Sequence, residues 1–140
     1  MIKRSILFLF SIVLLMACAS SEKYLQKGQY DKAIDKSVKK LRKDPGNDKE
    51  LYVLKEAYGK AQDFDKDRID FLEKEGREEN YVAIYDLYVR LDRRQDKIKT
   101  LPSSVLREFT LVNYDDRLIA SKEQAAESSY ALGVDYLERG

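Results

Sequence analysis

The chain has 140 residues, with 26 lysines and arginines against 25 aspartates and glutamates, a formal charge of +1 and no histidine. Near-neutrality gives no electrostatic footprint for nucleic acid. The absence of histidine, with a single cysteine, removes the usual base, nucleophile and transition-metal ligands. Charged residues at 36%, two prolines, six glycines and ten tyrosines describe helices with solvated outer faces and half-buried rings, not disorder, which lacks aromatics.

Lys3 and Arg4 precede an apolar run over residues 6–17 that only Ser11 interrupts, the layout of an export signal. Such a run makes ~18 Å of helix against a hydrocarbon core of ~30 Å, too short to span comfortably. An uncleaved anchor or a buried core helix is the alternative. The run closes on Leu15-Met16-Ala17-Cys18, with the only cysteine of the chain, and this resembles the lipobox of bacterial lipoproteins. The resemblance implies that Cys18 carries diacylglycerol and that the leader is cut between Ala17 and Cys18. Met16 departs from the pattern, which favours a smaller residue there. Each buried CH₂ contributes ~0.8 kcal/mol, so two or three acyl chains hold firmly where one is marginal. In such lipoproteins an aspartate directly after the cysteine often signals inner-membrane retention. Ala19 stands there instead, so the expected location is the outer membrane, facing the periplasm or the cell surface. Loss of Lys3 and Arg4 with the leader moves the formal charge to about −1, and roughly 120 residues remain, enough for one domain with a modest core. The layout is therefore a leader (1–17), a lipidated tether (18–23) and a helical domain (24–140).

Beyond the tether, a brief helix is expected from Glu22 to a stop at Gly28. From Tyr30, the residues Tyr30, Ala33, Ile34, Val38 and Leu41 recur at helical spacing, with Lys32, Lys36, Lys39, Lys40 and Lys43 on another face. Asp44-Pro45-Gly46 ends this helix, and Asn47 with Glu50 forms a capping box for the next. Helices are then expected over 48–61, 64–75, 78–91 and 94–101, with Gly76 and Pro102 as stops and short breaks that favour antiparallel neighbours. Ser103 or Ser104 can cap a helix bearing Val105, Phe109 and Val112, although residues 109–112 also suit a strand; without a partner strand they are read as helix or loop. Asn113 caps a last helix to Glu138, with Asp115 and Asp116 in its first turn. That helix either caps the domain or opens a further hairpin of a longer chain, which is the expectation.

Tyr24 and Tyr58 lie 34 residues apart, as do Tyr30 and Phe64, which is the tetratricopeptide repeat period. The sets Leu51, Leu54, Lys55, Tyr58, then Tyr81, Ile84, Tyr85, Tyr88, then Ser129, Leu132, Gly133, Tyr136 resemble the first helix of that repeat. Tyr30, Ala33, Leu41 and Pro45 resemble its second helix. Lys55, Asp67 and Ser37 depart from the pattern, and an ordinary helical bundle with chance spacing is the alternative. The resemblance implies an all-α fold of antiparallel helix hairpins stacked as a TPR-like solenoid, acting as a scaffold for a protein or peptide.

Three candidate sites follow. Tyr52, Tyr81 and Tyr85 are possible anchors for a partner, because tyrosine buries a large area at small entropic cost, though a core role is the commoner one. The lysine face from Lys32 to Lys43 can contact anionic lipid or peptidoglycan; the plainer reading is a solvated helix face. Asp63-Phe64-Asp65-Lys66-Asp67 begins like a calcium loop, but Arg68 stands where the turn needs glycine and Lys74 where the bidentate glutamate belongs, so it reads as a helix start. No enzyme, metal or cofactor is expected.

Overall fold

The computed structural model describes residues 20–139, so Ala17, Cys18 and the apolar run lie outside the described residues. Six α-helices and one 3₁₀ turn make up the domain: α1 Ser21–Gln26, α2 Tyr30–Leu41, α3 Asp48–Glu75, the turn Glu78–Asn80, α4 Tyr81–Lys99, α5 Ser103–Leu106 and α6 Asp115–Arg139. No strand occurs among the described residues. None of their helices is long and apolar enough to cross a membrane.

Local chemistry sets the ends. Ser20 Oγ accepts from the Lys23 amide and caps α1, which begins at Ser21, inside the stretch expected as tether. Gly28 reverses the chain at φ 68°, and the Gln29 amide returns to the Tyr24 carbonyl. A side chain at that φ would be strained, which is why a glycine stands there. Asn47 Oδ1 accepts from the Glu50 amide at 3.1 Å, half of the expected capping box. The reciprocal half is missing because the Glu50 carboxylate turns inward to other partners. Gly76 ends α3 in the left-handed region, as expected.

The expected breaks at 62–63 and 92–93 are absent: α3 and α4 run straight through them. Neither stretch contains glycine or proline, so nothing prevents the backbone from continuing. Beside them Gln62, Asp65, Arg94 and Gln95 form a buried polar layer between α3 and α4, while Asp63 and Arg93 stay exposed. With α3 unbroken, Asp63-Phe64-Asp65-Lys66-Asp67 is helix interior rather than a helix start.

This polar layer divides two apolar cores. Ala33, Ile34, Val38 and Leu41 of α2 pack with Leu54, Ala57, Tyr58 and Ala61 of α3, and with Ile98, Leu101 and Val105. Farther along, Ile69 and Leu72 of α3 pack with Ile84, Leu87 and Leu91 of α4 and with Tyr114. Residue pairing makes α2 antiparallel to α3, and α4 antiparallel to α6. Ser37 of α2 meets Glu50 while Asp31 meets Arg94 near Ala61; Gln95 of α4 meets Val112 while Glu78 meets Ser128.

The segment after Pro102 differs from the expected helix. Only α5 forms; Phe109 and Val112 do not join it. Phe109 instead caps the first core, edge-on to the Tyr58 ring at 5.7 Å. Val112 pairs its amide and carbonyl with Oε1 and Nε2 of Gln95 at 2.6 and 2.7 Å. A buried side-chain amide thus supplies the strand partner that the backbone lacks.

Candidate functional site

The lysine face lies on the outside of α2, and its members divide by partner. Lys32 and Lys36 place Nζ 5.7 and 5.5 Å from the centre of the Tyr24 ring. Lys40 pairs with Glu50 and sits 3.4 Å from Ser21 Oγ. Lys39 and Lys43 are exposed. The acidic residues of the same helix point elsewhere: Asp31 accepts from Arg94 Nε at 2.7 Å, and Asp35 meets Lys97 at 2.5 Å.

Beneath this face lies a buried carboxylate. Glu50 accepts from Ser21 Oγ at 2.5 Å and Ser37 Oγ at 3.0 Å, as well as from Lys40. Burial alone would push its carboxyl up, but the hydrogen bonds from Lys40, Ser21 and Ser37 together outweigh that and hold it below the usual carboxylate range. Both carboxylate oxygens are engaged by donors from α1 and α2, which makes this a staple between α1, α2 and α3.

In the polar layer Asp65 and Arg94 are fully engaged, while the buried Gln62 Oε1 has no hydrogen-bond partner. Asp65, only 1% exposed, accepts from Arg94 Nη1 at 2.5 Å and from Arg90. Arg94 also donates to the Ala61 carbonyl and to both oxygens of Asp31. The Arg94 hydrogen bonds hold the Asp31 carboxyl below its ordinary value. Nearby, Gln62 Nε2 donates to the Tyr58 hydroxyl at 2.9 Å, and burial pushes that phenol up to about 12. A cleft of about 340 Å³ opens over the layer, lined by Gln29, Tyr30, Phe64, Arg90 and Arg94 among others. Asp31, Asp65, Arg90 and Arg94 in its lining are paired with one another, and Lys32 at its edge lies over the Tyr24 ring. Of the charged residues in this network the sequence singled out only Asp65, in the rejected calcium loop; its pairing with Arg94 joins residues 29 positions apart and left no local signal.

The three candidate tyrosines are not brought together. Tyr52 is exposed on α3, Tyr81 packs against the second core, and Tyr85 lines a separate groove between α4 and α6 with Val89, Leu118 and Ile119. A larger apolar surface lies on α6. Leu118, Ser121, Ala125 and Ser128 face α4, and Ser128 Oγ donates to the Glu78 carbonyl at 2.8 Å, where the α4 side of the pair begins. Beyond that point α6 projects on, and Tyr130 (76%), Leu132 (49%), Tyr136 (79%) and Leu137 (81%) are exposed.

Among the described residues no group of three or more histidines, cysteines, aspartates or glutamates is placed to hold a metal ion. Comparison with known proteins gives no match: no family model fits the chain, and neither a curated protein nor a solved structure is similar to it.

Proposed function

We propose that the chain is a lipoprotein of the bacterial envelope, anchored through Cys18 at the outer membrane, whose helices form a TPR-like scaffold for a protein partner. The partner docks a helix against the distal half of α6. What carries the docking half is the exposure of Leu132 and Tyr136 (49% and 79%). These residues continue the face with which Leu118, Ser121 and Ala125 meet α4, at i, i+3, i+4 and i+7 steps. The surface is thus shaped for a helix in line with α4.

Gly133 supports the same reading. A glycine inside a helix costs ~1 kcal/mol relative to alanine, yet a Cβ there would meet no atom within 4 Å. Nothing among the described residues uses the missing side chain; a closely crossing helix would. Ser129, Leu132, Gly133 and Tyr136 are also the set that best keeps the first-helix pattern of the repeat, whose neighbour in a repeat array is another helix. The residues that resemble the repeat at its second helix fall on α2 and those at its first helix on α6, whereas α3 runs unbroken where a repeat would turn. The reading is of a binding protein and assigns no catalysis.

Two experiments test it. The intact mass of the detergent-extracted native protein should show a chain beginning at Cys18 with two or three acyl chains; an unmodified cysteine refutes the anchor. A photo-crosslinking residue placed at Leu132 or Tyr136 in cells should trap one defined protein that the same residue at Lys74 does not. Equal trapping at both places refutes the docking surface.

A further inference from the structure

We infer that the α2 lysine face rests on an anionic phospholipid surface, with Lys32, Lys36, Lys39 and Lys43 meeting headgroup phosphates. This rests on the Cys18 anchor proposed above and assigns the domain's orientation on the membrane.

The point of attachment comes first. Ser21 is fully buried, bonded to Glu50, and 3.4 Å from Lys40 Nζ. Only Ala19 and Ser20 separate it from Cys18. A chain extends at most ~3.6 Å per residue, so the acylated cysteine lies within ~11 Å of Ser21. The acyl chains therefore enter the bilayer beside the Lys40 and Lys43 end of the lysine face. Two intervening residues keep this end of the domain close to the anchor.

The face itself comes second. Lys32, Lys36 and Lys39 recur at steps of four and three along one side of α2, over ~11 Å, and Lys43 follows in the turn just beyond its end. The two acids of α2 that would offset them, Asp31 and Asp35, are turned toward α4 and neutralised by Arg94 and Lys97. Lys32 and Lys36 are drawn to the Tyr24 ring, which keeps their charge on the α1 side of α2, where the chain leaves for Cys18. Lysines held within a Debye length of an anionic leaflet, ~8 Å at physiological salt, gain from its potential. An acyl anchor joined to a basic patch is a stable two-signal arrangement.

The test uses the full lipidated chain in two kinds of vesicle, one containing phosphatidylglycerol and one of phosphatidylcholine alone. Lysines are acylated with a small amine reagent and read by peptide mass spectrometry. Lys32, Lys36, Lys39 and Lys43 should react about threefold or more slowly on the anionic vesicles, because their ammonium groups face phosphate. The exposed Lys74 and Lys122 should react alike on both. Protection should vanish near 1 M salt, where the Debye length is ~3 Å. In the Lys39→Gln/Lys43→Gln variant it should weaken at Lys32 and Lys36. Equal reactivity on the two vesicles, or protection that survives high salt, overturns the inference. So does equal protection by millimolar inorganic phosphate on phosphatidylcholine vesicles, which would make the ligand a soluble anion. The intact mass of the same sample keeps the two ideas apart: acylated protein with unprotected lysines removes the membrane face and leaves the anchor, and unacylated protein with protected lysines does the reverse.

Discussion

Removing Asp65 tests whether the polar layer holds the two cores together. Asp65 is 1% exposed and receives Arg94 and Arg90. Asp65→Ala leaves the Arg94 guanidinium, whose side chain is 6% exposed, with only Asp31 and the Ala61 carbonyl. Breaking a buried pair by removing one partner costs ~3–5 kcal/mol. Because Asp31 remains, the low end of about 3 kcal/mol is expected. For a domain of this size that is a fall in Tm of roughly 10–15 °C, followed by circular dichroism during heating. The double variant Asp65→Leu/Arg94→Met removes both buried charges and should recover most of the loss, since apolar replacement of a buried pair is often neutral or stabilising. Its leftover charges, Asp31 and Arg90, both reach solvent. If Asp65→Ala costs under about 1 kcal/mol, solvent already screens the layer and the argument fails. If the double variant is no better than the single one, geometry rather than charge is at stake.

Gln95→Leu should lose both hydrogen bonds to Val112, destabilise by ~1–3 kcal/mol, and speed hydrogen exchange at residues 110–114; an unchanged exchange rate would show that the side-chain amide does not hold this segment. The carboxyls of Glu50 and Asp31 are both held below their ordinary values. Their contribution is therefore fully present above the unfolded values of ~4 and is lost as pH falls through the lower folded values. Tm should stay level from neutral pH down to about 5 and drop below about 4, and the gap between wild type and Glu50→Gln should shrink over that drop. Leu132→Asp/Tyr136→Asp alters only exposed side chains, so urea unfolding should move by no more than ~0.5 kcal/mol while the partner crosslink disappears; a large loss of stability would mean that this part of α6 packs against the domain.

Much of the architecture was legible in the residues. Spacing placed α2 and its buried face, Asn47 and Gly76 marked the ends of α3, and the absence of strand partners left a helical fold, because these signals act within a few residues of chain. The helix count was not legible. Residues 62–63 and 92–93 read as breaks because polar residues ordinarily face water, and only the pairing of α3 with α4 shows Gln62, Asp65, Arg94 and Gln95 buried between two continuous helices. Likewise Glu50 looked like the second half of a local cap until Ser21 and Ser37, 29 and 13 residues away, claimed its carboxylate. The same holds for the candidate surfaces. The lysine face and its closeness in sequence to Cys18 were visible as a pattern, but the burial of Ser21 beside Lys40 appears only in the packed structure. Local order along a helix is encoded by short-range spacing and caps. Which polar groups leave water, and which apolar residues such as Tyr136 remain in it, depends on the helix that lies opposite, and that is decided by tertiary packing alone.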